Sequence, residues 1–425
     1  MYKSYRSIIL ALIITLIFTG CSFIRKSDNT ANGNNPSQGG ASDGEQQGNG
    51  TNTSDNKPVD LIQQQIDKMN LEEKLGQMVI AGIDGYSMSQ TTKSLIDKYK
   101  VGGFIVLGEN VRDSSQLLAL INSIKQENSQ NKIPLFMSVD EEGGRVTRMP
   151  KDFNGFPTNK AIGQINNKEF SYKIGNTIGD EIKAFGFNMD FAPVLDVNSN
   201  PKNPVIGDRS FGAKADIVSS LGVETMKGLE AQNIISVVKH FPGHGDTSVD
   251  SHKGLPTVNN DLKRLRSLEF IPFKEAIKND AEAVMIAHIL LPMVDKENPS
   301  SMSKTIITDI LRNELNFSGV VITDDMTMGA ITKNYNIGEA AVKSVKAGAD
   351  IVLVCHYYKN EAAVLDYLKT ATEKGELSEK RINESVYRIL KLKDKHEIKD
   401  AIINNIDVNS INNNIKELLN SYIKQ

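Results

Sequence analysis

The feature that most constrains the fold is a regular alternation, after Pro58, of short apolar runs with longer amphipathic stretches. Eight of the runs read as strands, because they are apolar throughout and bounded by glycine or polar residues. The stretches between them have helical periodicity, and several end in Asn or Gly, as helices often do. The predicted strands span residues 77–82, 103–108, 134–140, 187–193, 234–240, 282–288, 319–325 and 350–356.

Strands that are apolar throughout are buried on both faces, and their alternation with helices indicates a parallel sheet. Eight such units fit a (β/α)8 barrel of the TIM type better than an open, doubly wound sheet. We therefore predict an α/β protein with a single catalytic barrel domain over residues 58–397. Residues 398–425 are rich in Asn, and we expect them to form a short, loosely docked tail.

The barrel hypothesis also predicts where chemistry should lie, because the active sites of such barrels are built at the C-terminal ends of the strands. Most of the apolar runs end in an ionisable residue, a regularity that a purely structural protein does not need. An open α/β sheet would also carry functional loops there, so the pattern favours an enzyme more strongly than it favours a barrel. These strand-end residues are Asp140, Asp190, Lys239, His240, His288, Asp324 and His356.

The N-terminus has the composition of a targeting segment. Lys3 and Arg6 precede an apolar run that is too short for a transmembrane helix and that ends in Thr-Gly-Cys. This resembles a bacterial lipoprotein signal over residues 1–20, with cleavage before Cys21 and a lipid attached to that cysteine. An uncleaved anchor and a plain secretory signal are the alternatives, and all three place the rest of the chain outside the cytoplasm.

Residues 21–57 then combine the lipidated cysteine with a linker rich in Gly, Ser, Asn and Gln, which has too few apolar residues to form a core. We interpret it as a tether between a membrane and the barrel. The second cysteine, Cys355, lies in an apolar run, so we expect a buried thiol and no disulfide. A net charge of −3 without any basic stripe gives no reason to expect a nucleic acid partner.

The stretch "KHFPGHGDTSVDSH", residues 239–252, holds three of the six histidines of the chain. A zinc site is one interpretation, but there is no H-E-x-x-H, and Pro and Gly break any helix that would align the ligands. A Ser–His–Asp triad is a second, but no G-x-S-x-G elbow is present. The third is a proton-transfer dyad, in which Asp250 holds one imidazole nitrogen of His252 while the other faces a substrate.

A general acid at a glycosidic bond works with a carboxylate on the other side of the anomeric carbon. The best candidate is Asp324 in "GVVITDDMTMGAI", because it directly follows an apolar strand and should stand at the barrel mouth. Adjacent side chains near a strand end diverge, so we expect Asp325 to cap the following turn instead.

Five blocks together carry a family resemblance: "DEEGGRVTR", "FAPVLDV", "NPVIGDRSFG", "KHFPGHGDTSVDSH" and "GVVITDDMTMGAI". They resemble the glycoside hydrolase family 3 β-N-acetylglucosaminidases, in one order and spacing over residues 61–396. The resemblance implies a retaining enzyme on a (β/α)8 barrel, with Asp324 as nucleophile and His252 as general acid/base on a mobile loop, assisted by Asp250. It also implies these substrate-binding residues: Asp140, Arg148, Arg209, Lys239 and His240. We expect no metal and no other cofactor.

Several neighbouring residues have a structural interpretation at this point. Arg145 is expected to form a salt bridge, and an ion pair with Asp208 is the alternative role for Arg209. His244 and Asp246 are expected to organise their loop. We expect Asp196 and His288 to line or support the pocket. We expect His396 to be solvated at the surface.

The leading hypothesis is a lipid-anchored β-N-acetylhexosaminidase that removes terminal β-linked N-acetylglucosamine from cell-wall fragments or chitin-type oligosaccharides. A β-N-acetylglucosaminide phosphorylase remains open, since a neutral histidine repels phosphate less than a carboxylate would. Another family 3 activity such as β-glucosidase is also open, although that branch generally lacks the Asp-x-His pair. A non-catalytic sugar-binding lipoprotein is the alternative outside enzymes, and the intact Asp250, His252 and Asp324 argue against it.

Overall fold

The computed structural model describes residues 59–423. In chain order its strands are β1 (Val79–Ala81), β2 (Gly103–Val106), β3 (Phe136–Val139), β4 (Met189–Asp190), β5 (Ile235–Phe241), β6 (Ala283–Ile286), β7 (Val320–Thr323) and β8 (Val352–Val354). All eight coincide with the predicted runs, and β5 alone extends past its run, by one residue. The strands are parallel and adjacent in chain order, with β8 beside β1.

Two contacts close this sheet on itself. Strand β1 pairs in register with β8, so that Val79 opposes Val352. At the other edge, Ile322 of β7 bridges to Ile351, and the amide of Thr323 donates to the Ile351 carbonyl at 3.0 Å. The predicted (β/α)8 barrel is therefore confirmed.

The helices surround the sheet, as the amphipathic stretches predict. Within residues 59–423 the α-helices are α1 (Leu61–Asp67), α2 (Leu71–Gln77), α3 (Gln90–Asp97), α4 (Ser114–Asn128), α5 (Asn159–Ile165), α6 (Lys168–Phe185), α7 (Ala215–Ala231), α8 (Leu262–Ser267), α9 (Phe270–Lys278), α10 (Gly329–Thr332), α11 (Ile337–Ala347), α12 (Tyr358–Glu373), α13 (Glu379–Lys395) and α14 (Val408–Tyr422). Short 3-10 turns occur at Gly108–Asn110, Gly207–Arg209 and Ser300–Met302, and Thr305–Glu314 is π-helical.

Local sequence explains where several helices begin and end. Asn70 and Glu73 form a reciprocal capping box at the start of α2, satisfying amides that the helix itself leaves free. Helix α6 begins after the N-cap Asn167 and ends at Gly186, whose φ of 90° suits glycine. The helices pack on strands whose residues are buried on both faces, and the apolar core therefore lies in and around the barrel. This arrangement leaves the C-terminal strand ends, with their polar residues, open at one mouth.

Two predictions about the C-terminal region are wrong. The final segment is helix α14, which buries Ile411, Ile415 and Leu418 rather than docking loosely. His396 is also buried, and its Nε2 lies 2.6 Å from an oxygen of Glu282, at the base of β6. The lysines around His396 mark a polar stretch, whereas the histidine itself caps α13 and contacts Glu282.

Other predictions concern residues outside the range that the structure describes. The signal over residues 1–20, Cys21 and the linker to residue 57 lie outside the described residues. Over residues 59–423, no helix is both long enough and apolar enough to cross a membrane. Cys355 is buried with a free thiol, as predicted.

Candidate active site

All eight candidate site residues line one cavity of about 510 Å³ at the C-terminal mouth of the barrel. Three elements of the chain supply most of them: the segment after β3, strand β5 with its following loop, and the end of β7. The convergence follows from the parallel topology, which brings distant strand ends to one place. The eight residues are Asp140, Arg148, Arg209, Lys239, His240, Asp250, His252 and Asp324.

Four of the side chains at the floor of this cavity form what we call the buried ionic network: Asp140, Glu142, Arg209 and Lys239. Lys239 Nζ donates to Asp140 Oδ1 at 2.5 Å and to Glu142 Oε1 at 2.7 Å. Arg209 binds the same Glu142 with two parallel bonds, Nε to Oε2 at 2.8 Å and Nη2 to Oε1 at 2.6 Å. Glu142 thus holds both cations at once, in the bidentate geometry that suits arginine.

Burial and charge act against each other in this network. Burial alone would raise the pKa of Glu142 and lower that of Lys239, because it disfavours the charged forms. The paired charges have a larger effect on these pKa values than burial has. Arg209 and Lys239 hold the pKa of Glu142 well below its usual range, and Asp140 and Glu142 raise the pKa of Lys239. Glu142 is therefore an anion and Lys239 a cation at neutral pH, with geometry fixed by bonds inside the protein.

The tautomer of His240 follows from its partners. Its Nδ1 lies 2.7 Å from Asp196 Oδ2, and its Nε2 lies 3.4 Å from Arg209 Nη2. The fully buried Asp196 is ionised: burial opposes its charge, but the nearby imidazoles and a backbone amide lower its pKa. Nδ1–H therefore donates to the carboxylate, and Nε2 faces Arg209 and the cavity. Asp196 supports the pocket from behind, which is one of its two predicted placements.

Asp324 follows β7 directly and stands in the cavity. Burial would raise the pKa of its carboxyl, but the imidazoles of His240 and His288 and the amide of Asp325 outweigh burial and lower it. That amide donates to Asp324 Oδ1 at 2.8 Å. Asp324 is thus a carboxylate at neutral pH, the form that a nucleophile needs. His288 is itself fully bonded, to Ser301 Oγ and the Asp325 carbonyl, so it supports this turn from behind.

The Asp250–His252 dyad lines the same cavity, and its imidazole is exposed. His252 Nδ1 and the His252 amide both lie 2.9 Å from Asp250 Oδ1. Partial burial acts to raise the pKa of Asp250, but the two bonds from His252 lower it, so the carboxylate accepts the Nδ1–H. Nε2 is left as the nitrogen that can exchange a proton. The imidazole is 67% exposed, which gives a ligand and water access to it.

Comparison with known proteins decides the family. The chain matches the glycosyl hydrolase family 3 N-terminal domain over residues 70–392. It belongs to glycosyl hydrolase family 3. The resemblance inferred from the five sequence blocks is thereby confirmed.

Individual relatives of this family 3 chain agree with one another. It is 37% identical over 325 residues to Beta-hexosaminidase A of Pseudoalteromonas piscicida, covering 71% of this chain and 54% of that one. It is 32% identical to the Beta-hexosaminidase of Idiomarina loihiensis, over 70% of this chain and 89% of that one. A solved family 3 β-N-acetylglucosaminidase from Paenibacillus sp. str. FPU-7 has 40% identity and a TM-score of 0.78, over 83% and 69% of the two chains. The chain thus spans about half of the first relative and most of the other two.

The two arginines beside the family 3 pocket, Arg145 and Arg148, differ in whether a carboxylate of the protein binds them. Arg145 is held by Asp208 at 2.7 Å and by the Val205 carbonyl, the structural role expected for it. Asp208 is therefore not the partner of Arg209. Within residues 59–423 no carboxylate pairs with Arg148, whose Nη1 donates only to the carbonyl of Thr147. Arg148 is thus a cation at the rim that is available to a ligand.

The residues proposed for other chemistry are already bonded. His244 Nδ1 lies 2.7 Å from Thr247 Oγ1 and its Nε2 3.3 Å from Ser251 Oγ, so it organises the loop as expected. Asp325 accepts from the Thr327 hydroxyl and from the Cys355 amide, consistent with the predicted turn. Across residues 59–423, no three His, Cys, Asp or Glu side chains are grouped as a metal site would require.

Sequence reasoning missed Glu142. The motif "DEEGG" places three carboxylates in succession at the end of β3, and alternation in an extended segment sends Asp140 and Glu142 to one side. That spacing could have predicted the role of Glu142, because two anions beside the predicted cation Lys239 would have to pair with it. Ser251 was missed as well, since a serine between Asp250 and His252 carries no chemical signal of its own.

Proposed function

We propose that this family 3 chain is a retaining β-N-acetylhexosaminidase acting on terminal β-linked N-acetylglucosamine in cell-wall fragments or chitin-type oligosaccharides. The observation that carries the proposal is the convergence of ionised Asp324 and the Asp250–His252 dyad in one cavity, above a buried ionic network. The β-hexosaminidase names of the relatives support the reaction and the carbohydrate substrate. The activity is a proposal for the whole chain, which covers 54% of the first of those relatives.

The proposed mechanism assigns one task to each group. Asp324 attacks the anomeric carbon while His252 Nε2 donates its proton to the leaving oxygen, so that a glycosyl-enzyme forms and the aglycone departs as an alcohol. His252 then takes a proton from water, which attacks the same carbon and frees Asp324. Two displacements retain the configuration. Asp250 keeps Nδ1 protonated throughout, and therefore keeps Nε2 as the exchanging nitrogen.

The floor of the cavity supplies orientation in this proposal. Asp140, Arg209, Lys239 and His240 present acceptors and donors to hydroxyl groups from fixed positions, since each is already anchored inside the protein. Holding the ring in this way turns attack by Asp324 into an effectively unimolecular step. Arg148 contributes from the rim.

The test compares aryl β-N-acetylglucosaminide with aryl β-glucoside, using the purified chain and its Asp324→Ala variant. Release from the N-acetylglucosaminide alone, abolished by Asp324→Ala, is the expected result. Preference for the glucoside would indicate another family 3 glycosidase. No release at all, or release that Asp324→Ala leaves unchanged, would contradict the proposed catalysis and favour a sugar-binding protein.

The acceptor is tested separately with chitobiose and purified muropeptides, in buffers with and without phosphate. We expect free N-acetylglucosamine in both buffers. N-acetylglucosamine 1-phosphate in the phosphate buffer would instead indicate the phosphorylase alternative, which the neutral imidazole base leaves chemically open.

The location is proposed from the N-terminal sequence. We propose that cleavage after residue 20 leaves Cys21 as a lipid-bearing N-terminus, with residues 22–57 as a tether and the barrel outside the cytoplasm. A Cys21→Ser substitution should release the protein from the membrane fraction, and mass spectrometry should find the lipid on Cys21 in the unaltered chain. Retention of Cys21→Ser at the membrane would contradict the lipid anchor.

A further inference from the structure

The loop that carries His252 rests on the segment that follows Asp324. The Ser251 carbonyl accepts from the Ala330 amide at 2.9 Å, and the Lys253 carbonyl accepts from Lys333 Nζ at 2.7 Å. These two bonds flank His252 in the chain. Its backbone is therefore held on both sides, although its imidazole is exposed.

Gly329 allows this approach by having no side chain. A Cβ atom added to it would lie 2.5 Å from the carbonyl oxygen of His252 and 3.2 Å from its carbonyl carbon. Real Cβ atoms do not approach backbone so closely, and backbone cannot yield as the tip of a side chain can. The φ of Gly329 is not left-handed. Close contact with the His252 backbone is therefore the reason for a glycine here.

A third contact ties the same loop to the floor of the cavity. Ser251 is buried, and its hydroxyl lies 3.3 Å from His244 Nε2. The amide of His244 in turn donates to Asp196 Oδ1 at 2.6 Å, and the other oxygen of that carboxylate orients His240. The loop is thus joined both to the β7 segment and to the histidine that faces the ligand.

We infer that Ser251–Lys253 and Gly329–Lys333 form a latch that holds the loop of His252, which the family resemblance implies to be mobile, in register with Asp324. The inference rests on the proposed function, in which these two residues act on opposite sides of one bond. They come from loops after β5 and β7, so a direct contact between the loops keeps them in register. A displacement of about 1 Å in such a pair costs up to roughly 100-fold in rate. Gly329 and Ser251 are positioning residues, because they act through His252.

The test uses two variants that add the same methyl group at different glycines. Gly329→Ala forces the His252 backbone away, whereas Gly254→Ala lies nearby in the chain with no atom within 4 Å of its added Cβ. Each is assayed on an N-acetylglucosaminide with a dinitrophenyl leaving group, which needs no general acid, and on chitobiose, which does.

We expect Gly329→Ala to lower kcat/KM on chitobiose by about 10- to 100-fold while leaving kcat/KM on the dinitrophenyl substrate within about twofold. The kcat of this variant on the dinitrophenyl substrate should fall, because hydrolysis of the glycosyl-enzyme needs a general base, and azide, which attacks without one, should restore it. Gly254→Ala should match the unaltered chain in every assay. Equal losses on both substrates, or no loss on either, would overturn the latch.

A second readout does not depend on activity. Hydrogen exchange of the Ala330 amide, which donates to Ser251, should be faster in Gly329→Ala than in the unaltered chain or Gly254→Ala. If no variant releases N-acetylglucosamine, the proposed function fails, and exchange alone decides the latch. If Gly329→Ala does not fold, Ser251→Ala and Lys333→Met remove single contacts and should accelerate the same exchange. Unchanged exchange in these variants would refute the latch.

Discussion

The buried ionic network and the Asp250–His252 dyad face one cavity but are built in opposite ways. In the network, side chains hold side chains: Lys239 is 2% exposed and is bonded to two carboxylates. In the dyad, the imidazole is 67% exposed, and its loop is held through backbone carbonyls. Three members of the network lie at or just after strands β3 and β5, and Arg209 lies in the Gly207–Arg209 turn, whereas the dyad lies in the loop after β5.

This difference matches two demands of the proposed glycoside cleavage. Orienting a ring requires donors and acceptors that do not move when the ligand arrives, which buried and fully paired charges provide. Transferring a proton to a departing group and then taking one from water requires a nitrogen that both can reach. A side chain that is accessible, on a backbone held by hydrogen bonds to the neighbouring loop, meets the second demand and keeps its position.

The largest expected effect lies at the half-buried Asp324 carboxylate beside the network. Asp324→Asn should lower kcat on an aryl β-N-acetylglucosaminide by about 10⁴-fold or more, because no other group can form the glycosyl-enzyme. Thermal unfolding serves as the control and should show a folded protein. In Asp324→Ala, added azide should give the glycosyl azide of inverted, α configuration. Residual activity within tenfold of the unaltered chain would remove Asp324 from its role.

Replacing the exposed imidazole should separate activity from stability. His252→Ala should lower kcat/KM by about 10²- to 10⁴-fold on substrates with poor leaving groups, since proton donation is lost. The Tm should change by no more than about 1 °C, because an exposed side chain contributes little to packing. A large drop in Tm would show that the dyad is part of the structural framework, and the contrast with the network would not hold.

A substitution in the buried ionic network should lower stability as well as weaken ligand binding. Glu142→Gln removes the anion shared by Arg209 and Lys239, and breaking a buried pair costs about 3–5 kcal/mol. We expect Tm to fall by roughly 5 °C or more, with a higher KM as both cations lose their position. Asp208→Asn is the matched control, because it breaks an exposed arginine–carboxylate pair with Arg145, worth about 1 kcal/mol or less. Equal effects of the two substitutions on Tm and KM would contradict the conclusion that Glu142 holds both cations in place.

The smallest effect concerns a buried carboxyl far from the cavity. Burial, followed by the charge of Glu282, raises the pKa of Glu230 to about 8. The unfolded chain loses this proton near pH 4.5, so its stabilising contribution is full at low pH and is lost as pH rises through 8. Glu230→Gln should therefore reduce the decrease in Tm between pH 6 and pH 9 by about 2 °C, with no change in kcat. Glu224→Gln, on the same helix, is the control substitution.

The barrel was predictable because its signal is long-range and repeated: eight apolar runs at regular intervals admit few parallel folds. The positions of Asp140, Lys239, His240 and Asp324 in the cavity follow from the same rule, since each ends a strand. What sequence could not supply was pairing between loops. Which carboxylate holds Arg209 depends on how the Gly207–Arg209 turn folds back over the segment after β3, and no local pattern encodes that contact.

The same limit explains His396 and the C-terminal helix. Polarity of neighbours is a poor guide to one side chain on a helix, because burial depends on the face it occupies. The hydrophobic positions of α14, Ile411, Ile415 and Leu418, recur at helical spacing, yet the abundance of Asn obscures them. Composition described the segment as a whole, whereas its packing depends on three residues.

The pairing within the ionic network also makes the cavity a filter for ligand charge. Both cations at its floor are already balanced by carboxylates of the protein, and Asp324 adds a further negative charge there. A sugar bearing its own carboxylate would meet net repulsion at the floor and find no unpaired cation to offset it. Arg148, without an ionic partner, stands at the rim. The architecture thus favours a neutral ring at the bottom and directs any anionic part of the ligand outward.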